Sequence, residues 1–405
     1  MKKILFITPY NPFILPLGAS SKSVKYRIAN LSSTYEIHLL TFSNRIEHYT
    51  HITEALGLSV HFVSNPLYQK QPQTRWTRLF KTTFGRVEAL DNFHLLSTAL
   101  MPAVQTLTSR HRFDLIHIDD IIIAPVMNYC PQNVKIVLFF HNLMTLQYKN
   151  IYRSRTDLAK KVIAFMEYLQ IRKFEKTMLL QMENAVLLTK IENEAVRILS
   201  PDTNIYEIPL EINLNEYIPA PDLIDQQRIT FTGTMSYEPN HEGASYFIIK
   251  IIPLIRRDFP NARFFVVGMN PPKYLQDLGD DRIIITGEVK NMQEYINKSA
   301  VIVVPLLSGG GMRYKILEAF ALSKAVVSTS VGAEGIEYTD NENILLADNP
   351  QHFAHKVCEL LNDLQRAVKL GTNARKLITD KYDSRIVQKL WNNVYAEIIG
   401  RSGGN

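Results

Sequence analysis

Short, unbroken apolar runs, each followed by a stretch with helical periodicity, recur in two series and restrict the possible folds more than any other feature. "KILFIT", "EIHLLTF", "SVHFV", "DLIHI", "KIVLFFH" and "AVLLT" form the first series. After "PLEINLNEYIPAPDLIDQQ", punctuated by Pro209, Pro219 and Pro221, a second series opens with "RITFTG". It continues through "RFFVVG", "RIIITG", "VIVVPLL", "AVVST" and "NILLA". Strands that are apolar throughout, rather than at every second residue, are buried on both faces. That requires a parallel sheet with helices on either side. Val24, Ile28 and Leu31 recur at helical spacing in "SSKSVKYRIANLSS", with Ser20 or Ser21 as the N-cap. Ile386, Leu390, Val394 and Ile398 mark the apolar face of a last helix. A chain of 405 residues exceeds one ordinary core. The expected architecture is α/β, with two doubly wound, Rossmann-like domains, residues 1–205 and 206–385, facing a central cleft. Residues 386–405 are expected to form a terminal helix packed back on the first domain.

Charge and cysteine content exclude several classes. The net charge of +6 suits an anionic ligand or an anionic surface but is far from a nucleic-acid-binding tail, and no nucleic-acid partner is expected. Cys130 and Cys358 are far apart and form no CxxC, against a disulfide scaffold or a zinc ribbon. "MKKILFITPYNPFILPLGA" has the look of a secretion signal, but Pro9, Pro12 and Pro16 break it, and it reads as a first strand and loop. No run reaches the roughly 18 apolar residues that span a bilayer. The expectation is a cytoplasmic protein. "YQKQPQTRWTRLFKTTFGR", residues 68–86, interleaves Lys70, Arg75, Arg78, Lys81 and Arg86 with Trp76, Leu79, Phe80 and Phe84 and has no acid. It is a candidate for an anionic membrane surface at the inner face of the membrane. The alternative is a basic helix packed on its own domain.

The densest chemistry lies in "SGGGMRYKILEAF", Ser308–Phe320, directly after the strand "VIVVPLL". In open parallel sheets ligands bind at the carboxyl ends of strands, so functional residues are expected there. Gly309, Gly310 and Gly311 let backbone N–H groups approach a ligand closely, and the following helix N-terminus suits a phosphate. Arg313 can fork onto two phosphate oxygens and Lys315 adds a point charge. Glu318, about one turn on, can accept hydrogen bonds from a ribose diol. Together they describe a nucleoside diphosphate site, the alternative being a glycine turn before a solvated Arg-Lys-Glu helix. The spacing matches neither the P-loop nor G-x-G-x-x-G. His141 and Asn142 follow another strand in "FFHN". There is no HExxH or DxD; Asp119–Asp120 and Asp280–Asp281 are expected to be solvated, and neither a metal nor another cofactor is expected.

"VIVVPLLSGGGMRYKILEAFALSKAVVSTSVGAEGIE", with "TFTGTMSYEPN" and "IIITGEVKNM", resembles the donor-binding region of retaining GT-B glycosyltransferases, specifically glycosyltransferase family 4, in a branch with a "GGGMR-K-LEA" motif. "PYNPFILPLGASSKSVKYRIANLSSTYEIHLLTFS", "FDLIHI" and "FFHNLMTLQYKN" extend the resemblance over nearly the whole chain. It implies a donor-binding domain at 206–385 and an acceptor-side domain at 1–205. Gly18, Val289, Gly309, Gly310, Gly311, Met312 and Glu318 would bind the donor, His141, Arg313 and Lys315 would carry catalysis, and Asn142 would line the acceptor side. The family commonly has two glutamates with seven residues between; Glu318 matches the second, and Gly310 stands at the first. "GTMSYEPNHEG" lacks the usual Arg and Lys, and Glu211 stands where the family's interdomain pattern has Gly. The implied function is transfer of a sugar from a nucleotide-diphosphate donor to a hydroxyl of a glycan or lipid-linked acceptor, with retention. The alternatives are a catalytically silent nucleotide-sugar-binding subunit of a glycan-assembly complex and a GT-B-fold sugar-nucleotide epimerase.

Overall fold

The computed structural model describes residues 1–13, 18–43, 57–69, 87–155 and 157–401. It divides into two units, Met1–Glu211 with Ser384–Asn405, and Ile212–Asp383.

The first unit is a seven-stranded sheet of β1 (Lys3–Ile7), β2 (Glu36–Phe42), β3 (Ser59–Val63), β4 (Leu115–Asp119), β5 (Lys135–Phe139), β6 (Asn184–Leu187) and β7 (Asn204–Glu207). The order is β3-β2-β1-β4-β5-β6-β7, and every pairing is parallel. Ile4 to Ile7 are fully buried, as continuous apolar strands covered on both faces must be. β7, "NIYE", is a polar edge strand whose composition gives no apolar run to read.

The helix Ala19–Leu31 buries Val24, Ile28 and Leu31 against this sheet. Gly18 occupies its N-cap position with no side-chain cap, so Ser20 and Ser21 lie inside the first turn instead of capping it. The last helix, Ser384–Gly400, packs along Ala19–Leu31. Its buried face is Val387, Trp391, Val394, Tyr395 and Ile398, whereas Leu390 is exposed and Ile386 half-buried. The expected stripe is thus turned by about one residue. Polar chemistry accounts for the turn: the Trp391 ring lies 4.6 Å from the Arg27 guanidinium, and Tyr395 Oη lies 2.7 Å from His117 Nδ1.

The second unit holds β8 (Asp225–Thr232), β9 (Arg263–Val267), β10 (Ile283–Gly287), β11 (Ser299–Val304), β12 (Ala325–Ser328) and β13 (Leu345–Leu346). They form a parallel sheet ordered β10-β9-β8-β11-β12-β13. The helix Tyr314–Ala321 is buried along nearly its whole length and anchors the loop after β11.

Both sheets are doubly wound. Strand order reverses between β1 and β4 in the first and between β8 and β11 in the second. The crevices outside the carboxyl ends of these two pairs are where such sheets bind ligands. Among the described residues, no helix is long and apolar enough to cross a membrane.

Candidate functional site

At the switch point of the second unit, β8 leads into Gly233 and β11 into the glycine turn. Gly309 and Gly311 have φ of 113° and 77°, a region that side-chain-bearing residues rarely enter, so the turn requires glycine at both. A Cβ on Gly309 would meet Arg313 Nη2 at 2.9 Å. This close approach folds the Arg313 side chain back over the turn, where Nη1 donates to the Gly310 carbonyl at 2.5 Å. Arg313 is 7% exposed, and its Nε and Nη2 have no hydrogen-bond partner among the described residues. Burial pulls its pKa down, opposed by Tyr237 and Glu334. A buried guanidinium with two unused donors is costly unless an anion meets it.

Lys315 reaches across to β8. Its Nζ donates to Asn240 Oδ1 at 2.6 Å and lies 4.1 Å from the centre of the Phe231 ring. Asn240 in turn donates to the Thr234 carbonyl. Burial, then the neighbouring Arg313 charge, lowers the Lys315 pKa well below its ordinary value, with Glu318 acting in the other direction. Glu318 is nearly buried, and its Oε1 accepts from Tyr217 Oη at 2.8 Å. Met312 is buried under the same turn.

At the switch point of the first unit lies a different cluster. Asp119, the last residue of β4, is fully buried. Its Oδ1 takes a 2.5 Å ion pair from Arg27 Nη1, and its Oδ2 accepts from Thr8 Oγ1 at 2.8 Å and lies 3.3 Å from His141 Nε2. Burial opposes ionisation of Asp119, but His141, Arg27 and the hydrogen bonds of His117 and His141 overcome it and hold the pKa well below the carboxylate range. Arg27 also stacks 4.0 Å from the Phe139 ring, and its Nε is 3.7 Å from Glu211 Oε1, which accepts from Ser23. Asp120 adopts φ 117°, a strained conformation for a non-glycine residue, and accepts from Tyr10 Oη at 2.5 Å. Burial raises the Asp120 pKa and, with Asp120 beside it, raises that of Tyr10. The two adjacent aspartates are therefore buried and networked, contrary to the expectation of solvation, because the end of β4 places them beside Arg27, His141 and Tyr10. Asp281, by contrast, is solvated, and Asp280 caps a turn at Arg282 and Ile283.

Residues 226–363 match the family model described as glycosyl transferases group 1. That match lies within the second unit and covers about a third of the chain. A 44.6 kDa protein of the cps region of Klebsiella pneumoniae, itself uncharacterized, is 21% identical over 272 residues, 64% of this chain and 68% of its own. Among solved structures, sucrose-phosphate synthase from Thermosynechococcus elongatus superposes with TM-score 0.74 and 16% identity, covering 99% of this chain and 100% of the other. Anabaena HepE in complex with UDP-glucose does so with TM-score 0.68 and 13% identity, covering 98% and 100%. At these identities the structural likeness establishes the fold.

In the second unit, Gly309, Gly310, Gly311, Met312, Arg313, Lys315 and Glu318 lie together along one turn and the helix that follows it. Val289 is half-buried after β10, which β9 and β8 separate from β11. His141 directly follows β5 and Phe140, nearly buried, with Tyr10 and Phe139 rings packed edge-on at 4.8 and 4.9 Å. Asn142 Nδ2 donates to Gln147 Oε1 at 3.5 Å. Gly18 has an extended φ of −67° that any residue adopts, and a Cβ there meets nothing within 4 Å. Arg27 and Tyr10 went unread in the sequence, and Asp119 and Asp120 were read as solvated. The available signal was a carboxylate pair ending an otherwise apolar strand.

Proposed function

We propose that this protein is a glycosyltransferase that moves a sugar from a nucleotide-diphosphate donor to a hydroxyl of a glycan or lipid-linked acceptor, with retention at the anomeric carbon. The observation that carries the reading is Arg313, buried in the glycine turn with two donors unused. A diphosphate supplies the oxygens those donors lack, and Lys315 adds a second cation to it. Glu318, one helical turn on, would take the ribose hydroxyls. In the transition state the glycosidic bond lengthens, positive charge grows on the sugar ring and negative charge on the leaving phosphate. Arg313, Lys315 and the glycine amides would stabilise the latter, and only the charge that develops there accelerates the step. His141, oriented by Asp119, would serve the transferred sugar. The Klebsiella relative's place in a cps region supports an assembling-glycan acceptor, and the UDP-glucose bound by HepE supports a nucleotide-sugar donor.

The test is a thermal-shift screen of UDP, GDP and ADP, followed by turnover of the matched nucleotide sugar. A diphosphate present at about 100 times its Kd adds about 2.7 kcal/mol of stability. A nucleoside that stabilises as well as its diphosphate refutes the role of Arg313. Binding without product supports the silent subunit, and epimerised donor supports the epimerase.

A further inference from the structure

We propose that the solvent face of the helix Leu158–Leu179 is the surface by which this protein lies on an anionic lipid bilayer. Successive residues of a helix are 100° apart, so Leu158, Val162, Phe165 and Leu169 fall on one stripe, which Arg172, Lys173 and Lys176 continue. Leu158 is 78% exposed, Val162 52%, Phe165 40% and Leu169 44%. Soluble helices hide such a stripe; this one turns it outward, while Ala164, Ile171, Glu175 and Met178 bury the other side.

Charge decides the occupant. The exposed stripe holds no carboxylate: Glu167 lies on the opposite side, and Glu175 is buried, accepting from the backbone N–H groups of Met144 and Thr145 at 2.7 and 2.8 Å. Lys161 flanks the apolar half, beside the Tyr152 ring at 5.7 Å, and Tyr152, Phe165 and Tyr168 form a cluster of rings. Apolar side chains, interfacial aromatics and cations without acids on one face match the boundary between acyl chains and anionic headgroups. Val87, where the basic aromatic stretch of residues 68–86 ends, donates its N–H to Gln170 Oε1 of this same helix at 3.3 Å. Residues 70–86 themselves lie outside the described residues.

This inference does not depend on the transferase reading, and its test requires no turnover. The full chain is floated with phosphatidylcholine vesicles and with vesicles containing 30% phosphatidylglycerol. The expected result is binding to the anionic vesicles, weakened by salt. Val162→Ser, Phe165→Ser and Leu169→Ser together should reduce binding at least tenfold. Arg172→Gln, Lys173→Gln and Lys176→Gln together should reduce it about 100-fold at low salt, at roughly fivefold per cation. All six side chains are exposed, and unchanged melting curves of both variants show that the fold survives. Equal binding to neutral vesicles, or no vesicle binding by the wild type, overturns the proposal. So does retention of binding in both helix variants while Arg75, Arg78 and Lys81 substitutions abolish it, and so does a fall in oligomeric state without any vesicle binding.

Discussion

Arg27 and Arg313 are both buried arginines at the switch point of a doubly wound sheet, and they are in opposite states. Arg27 pairs with Asp119, donates to Ser23 and lies over two aromatic rings, and only its Nε, 3.7 Å from Glu211, lacks a hydrogen bond among the described residues. Arg313 has one carbonyl and two unused donors. The same fold and the same side chain thus serve two ends. Where the charge is answered from within the chain, it holds a unit together. Where it is left unanswered, as at Arg313, the buried donors stay open to the anionic ligand proposed above. Burial alone does not separate the two; pairing does.

The largest expected effect breaks the first half of that contrast. Arg27→Ala strands Asp119 and Glu211 in the interior, and removal of one partner of a buried pair costs about 3–5 kcal/mol. Denaturant unfolding should show this loss in the first unit, with Arg27→Met recovering part of it through the ring contacts. An unchanged midpoint in both variants would dissolve the distinction.

Next is the pH dependence of the same cluster. Burial pulls the His117 imidazole down to about 4 against the opposing pull of Asp119. The unfolded imidazole titrates near 6.5, so between about 6.5 and 4 the unfolded chain binds a proton that the folded chain refuses. Stability conferred by neutral His117 is complete above about 6.5 and lost as pH falls to about 4, some 3 kcal/mol in all. Glu175, raised by burial to about 7, acts in the other direction over an overlapping range. The readout is therefore the difference between wild type and His117→Gln, which should narrow as the pH falls through that window. A constant difference removes His117 from the account.

Arg313→Ala sharpens the second half. Nucleoside diphosphate affinity should fall by about 1.5–3 kcal/mol, as for hydrogen bonds to a charged group, while the melting temperature holds or rises. Calorimetric titration beside a melting curve checks both, and unfolding of the variant would make Arg313 a structural residue like Arg27. The smallest effect is at Gly18. Because its φ suits any residue, Gly18→Ser at the N-cap should change stability by only a few tenths of a kcal/mol. A loss of more than about 1 kcal/mol in that variant would show that the N-cap is strained.

The two clusters also differed in how far they could be read from sequence. The glycine turn and its cations fall within seven residues, from Gly309 to Lys315, and the strand before them is continuous and apolar, so local chemistry sufficed. The Asp119 cluster assembles from Thr8, Arg27, His117, His141, Glu211 and Tyr395, which only the completed sheet brings together. The adjacent aspartates looked like a solvated pair because most of their partners, Thr8, Tyr10, Arg27 and His141, lie far from them in sequence. The terminal helix was legible as a helix, but its rotation was set by Arg27 and His117, partners that apolar periodicity does not register. β7 was missed because an edge strand can be polar.

The chain leaves the first unit at Glu211, builds all of the second, and returns at Ser384. During synthesis at about 5–20 residues per second, roughly 10–40 s pass between the emergence of Glu211 and the last helix. Throughout that interval His117 lacks the Tyr395 hydroxyl and Arg27 lacks the Trp391 ring. The second unit, whose first and last residues are joined by a bridge between Ile212 and Asp383, can be complete before the first has its final wall. A truncation of the last twenty residues would therefore injure the part of the protein made earliest, and a chaperone holding the nascent chain would have the amino-terminal sheet, not the second unit, to protect.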